Sequence, residues 1–297
     1  MKKQLKKVIK MMLPNFMVEY HERRKSKKIN YYDSEDFIGY VYRKKHGLMR
    51  HADTIETLAI RGSNTDYGFY SPLIKNSYNL GLISSDLYFN YHLYHQIKKG
   101  LPKLKNVVYF YNVPANGMSL IRLKERYRLV IYKYFFNIDY QERGFIDQKQ
   151  ERRIFKKCSK YSQNIEKSYY GYERKTKYIV TPPDLRAQQL LRENTREPDQ
   201  IEWLRKLIIE IASDNINLVV VLPPHLTAFQ RNLPSAEILF KKLYDLLDEY
   251  PSVLLIDLYN SKLFTDDDMG DADHLNERGA IKITSEVQKV MSEKGYL

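Results

Sequence analysis

The carboxyl-terminal part of the sequence contains an aspartate and a histidine whose spacing suits proton transfer. Asp271 and His274 lie three residues apart, directly before a segment of helical periodicity that begins near Asn276. This spacing can place an imidazole and the carboxylate that orients it on one turn of the chain. Asp273 is a second candidate for the carboxylate, but the three-residue spacing favours Asp271. The segment therefore predicts a general base at His274.

A general base of this kind acts on a nucleophile, and a candidate lies far upstream. The apolar run at residues 55–60 is followed by Arg61, Gly62 and Ser63. A serine hydroxyl is a weak nucleophile until a base removes its proton, which an imidazole held by a carboxylate does near neutral pH. Ser63 could instead be a polar turn residue that caps the next helix. The downstream Asp271/His274 pair favours the nucleophile, so the sequence predicts acyl transfer through a serine.

Acyl transfer also requires hydrogen-bond donors that are already in place for the negatively charged intermediate. The candidates are the backbone amides of Ser63 and Gly81 and the side chain of Asn112 or Asn116. Asn112 is preferred because it directly follows a predicted strand, and Asn116 stays open as the alternative.

The elements that must position these residues follow from hydrophobic periodicity. Short apolar runs alternate with amphipathic segments, which is typical of an α/β fold with a mostly parallel sheet. Strands are predicted at residues 55–60, 107–111, 218–222 and 253–258, and helices at residues 84–100, 201–211, 235–249 and from 276 onward. The first of these helices would be capped by Ser84 or Ser85.

Ligands of such sheets bind outside the carboxyl ends of the strands. Ser63, Asn112 and His225 each follow a predicted strand, so we expect them to face one crevice. His225 would then bind substrate, although a purely structural loop histidine is an equal alternative. His92 and His95 are three residues apart on a predicted helix, but they lack a third ligand, and no metal site is expected.

The chain divides by composition. Residues 1–50 form a basic amino-terminal extension, and residues 51–297 form the α/β domain. Within that domain, residues 118–196 are rich in Tyr, Lys and Arg and predict a mostly helical insertion that acts as a lid.

Near the amino terminus, five apolar residues recur at helical spacing opposite lysines, namely Leu5, Val8, Ile9, Met12 and Leu13. This pattern suits either peripheral contact with an anionic membrane or packing on the protein's own domain.

Charge and cysteine content narrow the classes of function. The formal net charge of +13 attracts anionic partners, but no nucleic-acid-binding signature accompanies it, so no nucleic-acid partner is expected. A single cysteine excludes an intramolecular disulfide. No apolar run has the length of a membrane span or the form of a signal peptide, which leads us to expect a cytoplasmic protein.

Four segments, taken together, resemble the SGNH hydrolase superfamily, in particular its DltD-like and polysaccharide-modifying branch. They are residues 62–68 (Gly-Ser-Asn-Thr-Asp-Tyr-Gly), 77–81 (Ser-Tyr-Asn-Leu-Gly), 220–225 (Val-Val-Leu-Pro-Pro-His) and 271–280. The resemblance covers roughly residue 54 to the carboxyl terminus, without the insertion. Two departures exist: Gly62 directly precedes Ser63 where Gly-Asp-Ser is common, and Asn112 stands alone where the family usually has Gly-x-Asn-Asp.

The resemblance implies a flavodoxin-like SGNH hydrolase fold with Ser63 as nucleophile, the Gly81 amide in the oxyanion hole, and Asp271 and His274 completing a triad. It also implies a carbohydrate ester as substrate. We expect an O-acetyltransferase that acts on a surface polysaccharide, a glycolipid or a precursor, peripheral to the inner face of the membrane. A carbohydrate esterase and a non-catalytic glycan- or lipid-binding scaffold are the alternatives. No bound cofactor is expected, and acetyl-CoA is one candidate for the acetyl donor.

Overall fold

The computed structural model describes residues 32–140, 144, 146–175, 181–197 and 200–297, with side chains from residue 36 onward. At its centre lies a five-stranded sheet in which every neighbouring pair of strands is parallel. Helices flank this sheet on both faces, which confirms the predicted α/β fold. The apolar positions from Leu5 to Leu13 lie outside the described residues.

The strands follow one another as β1 (Thr57–Arg61), β2 (Ser77–Gly81), β3 (Asn106–Phe110), β4 (Asn217–Leu222) and β5 (Leu254–Asp257). Their order across the sheet is β2-β1-β3-β4-β5, the order of flavodoxin-like folds. The sequence did not predict β2, because Ser77 and Asn79 interrupt its apolar pattern, yet all five of its residues are buried.

Eleven α-helices are found among the described residues: α1 (Tyr32–His51), α2 (Ser63–Gly68), α3 (Leu87–Ile97), α4 (Arg128–Phe136), α5 (Gln148–Lys160), α6 (Pro183–Glu193), α7 (Ile201–Ser213), α8 (Thr227–Gln230), α9 (Ala236–Leu239), α10 (Lys241–Asp248) and α11 (Glu277–Glu293). The cap of α3 is Asp86, whose side chain accepts a hydrogen bond from the Phe89 amide at 2.9 Å, and not Ser84 or Ser85. The helix predicted at residues 235–249 is two helices, separated at Phe240.

The two faces of the sheet have separate apolar cores, because alternate side chains of a strand point to opposite faces. On one face, Leu58 and Ile60 of β1 belong to a large cluster with buried residues of α1, α3 and α7. On the other face, Ala59 of β1 belongs to a smaller cluster with Ile283 and Val287 of α11. The sheet is therefore buried on both sides, and polar ligands can reach its strands only at their ends.

The helix α1 is part of the domain rather than an extension of it. Its side chains Phe37, Ile38, Val41 and Leu48 are buried in the larger apolar core. Full burial of one such side chain contributes about 1.5–3 kcal/mol, so α1 adds substantially to stability. The described part of the predicted extension therefore packs in the same apolar core as the α/β domain.

The region predicted as an insertion contains the helices α4, α5 and α6. Between α5 and residue 175 the described chain has neither helix nor strand. None of the helices in the described ranges combines the length and the apolar character that crossing a bilayer requires.

Candidate active site

The nucleophile candidate lies at the carboxyl edge of the sheet. β1 ends at Arg61, Gly62 follows, and Ser63 is the first residue of α2. The φ angle of Arg61 is +125°, in a region that residues with side chains rarely adopt. This backbone bends sharply enough to leave Ser63 partly exposed, while its neighbours Asn64 and Thr65 are buried.

The structure brings the three predicted catalytic residues together. The Ser63 hydroxyl Oγ lies 2.7 Å from His274 Nε2, although 211 positions separate the two residues in the sequence. The opposite ring nitrogen, His274 Nδ1, lies 2.8 Å from Asp271 Oδ1 and 3.0 Å from Oδ2. The Tyr67 ring packs nearly perpendicular to the imidazole, with the ring centroids 5.3 Å apart. These contacts have the arrangement of hydroxyl, imidazole and carboxylate that serine-dependent acyl transfer requires.

Asp271 is held as an anion by several groups. Its Oδ1 accepts hydrogen bonds from the backbone amides of Asp273 and His274, at 3.1 and 2.9 Å. Its Oδ2 lies 3.0 Å from Lys175 Nζ. Burial alone would raise the pKa of Asp271, but the hydrogen bond from His274 and the nearby charges outweigh it and hold the pKa well below its usual range. Asp271 therefore stays ionised at neutral pH and can stabilise an imidazolium.

Asp273, the rival for the orienting role, has a different partner. Arg186 donates two hydrogen bonds to its carboxylate, at 2.9 and 2.7 Å, and the nearest contact of that carboxylate to His274 Nδ1 is 3.6 Å. Its backbone carbonyl accepts a hydrogen bond from Asn64 Nδ2 at 2.7 Å. The Asp273 carboxylate thus anchors α6 to the loop at residues 271–274, and the Asp273 carbonyl connects the same loop to α2. Asp271 is thus the carboxylate within hydrogen-bond distance of His274 Nδ1, and Asp273 is not.

We expect Asp271→Ala to lower kcat for an activated ester about 10³- to 10⁴-fold, because the imidazole loses its orienting partner. Asp273→Asn should lower kcat less than tenfold, since asparagine keeps the shape and only the Arg186 ion pair is lost. The measurement is steady-state hydrolysis of p-nitrophenyl acetate by both variants. Equal losses at the two positions would contradict the assignment.

The candidates for oxyanion stabilisation fall into two groups: the Ser63 amide and the Asn112 side chain lie at the cavity, whereas Gly81 and Asn116 do not line it. The amide of Ser63 has no hydrogen-bond acceptor among the described residues, and Asn112 lines the cavity in front of Ser63. Arg61 Nη2 donates to Asn112 Oδ1 at 2.9 Å, which leaves the Asn112 NH₂ group as the available donor. Ser84, which sequence analysis considered only as a helix cap, has a φ of +64° and also lines the cavity.

The prediction for Gly81 requires correction. Its amide donates to Asn79 Oδ1 at 2.8 Å, and its carbonyl accepts a hydrogen bond from Tyr40 Oη at 3.0 Å. A Cβ atom at this position would lie 2.3 Å from the Asp66 nitrogen, so the glycine is needed for the close approach of β2 to α2. Gly81 is therefore a packing residue whose amide is already engaged.

Asn112 and Asn116 allow a matched test of the oxyanion assignment. Asn116 is buried, and its Oδ1 accepts a hydrogen bond from the Tyr111 hydroxyl, away from the cavity lining. Asn112→Ala is expected to lower kcat by about 10²- to 10³-fold, the usual effect of removing one oxyanion donor. Asn116→Ala should leave kcat within about threefold once the folded fraction is equalised by thermal unfolding. The reverse ranking would move the assignment to Asn116.

His225 does not reach the cavity. It is 5% exposed, and its ring packs edge-on against Phe229 and Tyr259. Burial lowers its pKa to about 4, so the ring is neutral at physiological pH. The structural alternative for this histidine therefore fits the structure, and substrate binding does not.

The cavity in front of Ser63 has a volume of about 270 Å³. One wall comes from the carboxyl edge of the sheet, through residues that include Gly62, Ser63, Ser85, Asn112 and His274. The opposite wall comes from the region predicted as a lid, through Met118, Leu123, Glu125, Arg128, Lys175, Arg186, Gln189, Leu190 and Glu193. This region both shapes the cavity and supplies Lys175 and Arg186 to the two aspartates.

A buried ion pair holds the helix that carries Ser63. Lys44 of α1 and Asp66 of α2 have fully buried side chains in direct contact. Lys44 Nζ also donates to the carbonyls of Asn79, at 3.2 Å, and Gly171, while Tyr40 Oη donates to Asp66 Oδ2 at 2.9 Å. Burial raises the pKa of Asp66 to about 6, against the opposing effects of Lys44 and Tyr40. The network joins four separate segments, namely α1, α2, β2 and the chain at Gly171, next to the helix that begins at Ser63.

Asp271, Asp273 and His274 also have ligand atoms within 4.8 Å of one another, as a metal site would. Each is already engaged: Asp273 by Arg186, Asp271 by Lys175 and His274, and His274 by Ser63. Two cations beside these carboxylates oppose a further positive charge. The arrangement fits proton transfer better than metal binding.

Comparisons with known proteins add little to this geometry. No protein-family model matches the chain, and no curated protein matches it in sequence. Among solved structures, one described as "a putative platelet activating factor from Streptococcus pneumonia" is 11% identical, with a TM-score of 0.42. The match covers 94% of this chain and 100% of the other. At this TM-score the match carries no argument about function.

Proposed function

We propose that the protein is a serine-dependent carbohydrate-ester enzyme that transfers an acyl group, with acetyl as the expected group, through an acyl-enzyme at Ser63. The observation that carries the proposal is the unbroken chain of contacts from Asp271 through His274 to Ser63, with lengths of 2.8 and 2.7 Å. A serine that only capped a helix would not need a buried imidazole oriented by a carboxylate.

In the proposed reaction, His274 Nε2 removes the proton from Ser63 Oγ as this oxygen attacks the ester carbonyl. The Ser63 amide and the Asn112 side chain donate to the oxyanion that forms. Collapse of the intermediate breaks the bond to the donor's alcohol, or to the thiol where acetyl-CoA is the donor; this leaving group takes the proton from His274, and the acyl group stays on Ser63. A second alcohol or water, deprotonated by His274, then attacks the acyl-enzyme and releases Ser63.

The carbohydrate part of the proposal rests on the sequence resemblance, and the acyl chemistry rests on the site. The acceptor in this proposal is a hydroxyl of a surface polysaccharide, a glycolipid or a precursor, and acetyl-CoA is one candidate donor. The wall formed by Leu123, Arg128, Leu190 and neighbouring residues supports transfer, because exclusion of water from the cavity favours a sugar hydroxyl over hydrolysis. With water as acceptor the same site would be a deacetylase.

We further propose that the enzyme works at the cytoplasmic face of the membrane. The support is the basic, amphipathic pattern of the amino-terminal residues together with the net charge of +13. Sedimentation with anionic vesicles, compared with neutral vesicles, tests this placement, and equal sedimentation with both would contradict it.

The test of the reaction uses p-nitrophenyl acetate. Release of p-nitrophenol together with an acetyl group found on the Ser63 peptide by mass spectrometry would support the acyl-enzyme. Adding an oligosaccharide acceptor then separates the two fates of the acetyl group, because a transferase yields acetylated sugar and an esterase yields acetate. A folded protein with neither turnover nor acetylated Ser63 would overturn the proposal and favour a non-catalytic binding scaffold.

A further inference from the structure

Three basic side chains line the cavity in front of Ser63, and they differ in their partners. Arg186 makes two hydrogen bonds to Asp273, and Lys175 lies 3.0 Å from Asp271. Arg128 has no carboxylate within ion-pair distance in the described ranges of the chain. Among the described residues, Arg128 is therefore the cation of this cavity wall that takes part in no ion pair.

The Arg128 guanidinium is nevertheless held in place. Its Nη1 donates to the Ser84 hydroxyl at 2.6 Å, and its central carbon lies 4.8 Å from the centroid of the Phe37 ring. Its Nε is buried and has no hydrogen-bond acceptor among the described residues. A guanidinium fixed on two sides loses little side-chain freedom when a ligand binds its remaining donors.

We infer that Arg128 is a binding site for an anionic group, a carboxylate or a phosphate, on the substrate of the proposed reaction. The inference rests on the proposed function, whose reacting serine lines the same cavity. Arginine matches both groups through paired N–H donors, and a partly buried cation without a partner gains stabilisation when an anion binds. The substrate class is thus narrowed to esters of acidic or phosphate-bearing glycans.

Glu125 limits where that anion can bind. It lines the same cavity and also lacks an ion-pair partner among the described residues. Its negative charge repels an anionic substrate, so the anion must bind on the Arg128 side. Arg128 and Glu125 therefore form a pair of test positions with opposite expected effects.

The test compares esters that differ in charge: 4-acetoxybenzoate, its neutral methyl ester, and 4-acetoxyphenyl phosphate. Wild-type kcat/KM should be higher for at least one anionic ester than for the methyl ester. If 4-acetoxybenzoate has the higher kcat/KM of the two anionic esters, the site binds a carboxylate; if 4-acetoxyphenyl phosphate does, the site binds a phosphate. Arg128→Gln should lower kcat/KM for that anionic ester about tenfold to hundredfold, mostly through KM, as expected for loss of a charged hydrogen bond. The neutral ester has no anion to pair with the guanidinium and should lose clearly less kcat/KM than the anionic ester.

Two variants keep the result interpretable. Arg128→Lys retains the charge and should recover part of the anionic preference, which a purely structural role of Arg128 would not require. Glu125→Gln should raise kcat/KM for the anionic ester. Equal losses on both esters in Arg128→Gln, or no anionic preference in the wild type, would overturn the inference while leaving the proposed reaction intact.

Failure of the proposed reaction would look different. No ester would then be turned over, and binding would be measured by calorimetry with 4-acetoxybenzoate and the Ser63→Ala variant. Tighter binding of the anionic ester than of the methyl ester, lost in Ser63→Ala/Arg128→Gln, would support the anion site without the chemistry. Equal binding of the two esters would overturn the site as well.

Discussion

Replacing Ser63 with alanine is expected to lower ester turnover by about 10⁴- to 10⁶-fold, because the variant has no oxygen that can form the acyl-enzyme. His274→Ala should cause a loss of the same size, since the hydroxyl 2.7 Å from its Nε2 would keep its proton. The double variant should be no worse than either single variant. The two groups act as one unit, so their effects are not additive.

A fluorophosphonate probe followed by intact-mass measurement checks this prediction without any knowledge of the natural substrate. Wild-type protein should add one label, and both variants should add none. The control is Ser159→Ala, which removes an exposed serine of α5 outside the cavity and should label like the wild type. Persistent labelling of Ser63→Ala would place the reactive serine elsewhere and contradict the assignment.

Lys44→Met is expected to give the largest loss of stability, about 3–5 kcal/mol at pH 7, because it leaves the Asp66 carboxylate buried without its cation. The loss should shrink as the pH falls toward 5. The folded-state pKa of Asp66 is already raised to about 6, and removal of Lys44 raises it further. Protonation of Asp66 thus favours the folded variant at low pH, and this stabilisation disappears as the pH rises through the folded-state pKa.

Urea unfolding at pH 5 and pH 7 measures this effect. Lys45→Met is the matched control, since the adjacent lysine is only partly buried and has no carboxylate partner among the described residues; it should cost less than about 1 kcal/mol. Lys44→Met/Asp66→Asn should recover part of the loss, because no buried charge then stays unpaired. A loss that is the same at both pH values would show that Asp66 is not the cause.

The sheet and the residues at its carboxyl edge could be predicted because each depends on a pattern of a few consecutive residues. Four of the five strands were found because their residues form apolar runs, and the start of α11 was found from the helical periodicity that begins near Asn276. Asp271 and His274 were found because three residues separate them. Ser63 was found because it follows a strand whose carboxyl end must face the site.

The rest of the site depends on contacts that no local pattern contains. The ion pairs of Lys175 with Asp271 and of Arg186 with Asp273 join segments that lie 87 or more residues apart. Arg61 is the exception, since a charged residue at the end of an apolar strand is itself a signal. Its guanidinium donates to the Ser85 carbonyl at 2.7 Å and to Asn112, so it connects the loops after three strands.

The two site residues that were misplaced have physical explanations. Gly81 was expected to offer its amide to the oxyanion, but it lies within β2, a strand that sequence analysis missed, and its amide is engaged by Asn79. His225 was expected at the crevice because it follows β4. It is buried instead, with its ring packed against Phe229 and Tyr259.

The hydrogen bond from Lys44 to the Gly171 carbonyl has a consequence for how the chain folds during synthesis. These residues are 127 positions apart, so at about 5–20 residues per second the ribosome needs roughly 6–25 s to deliver the second after the first. Throughout that interval α1 can form as a helix but cannot complete its buried ion-pair network. The Lys44 ammonium is thus synthesised long before the last of its hydrogen-bond acceptors, and the network behind Asp66 can be completed only after residue 171 has been added.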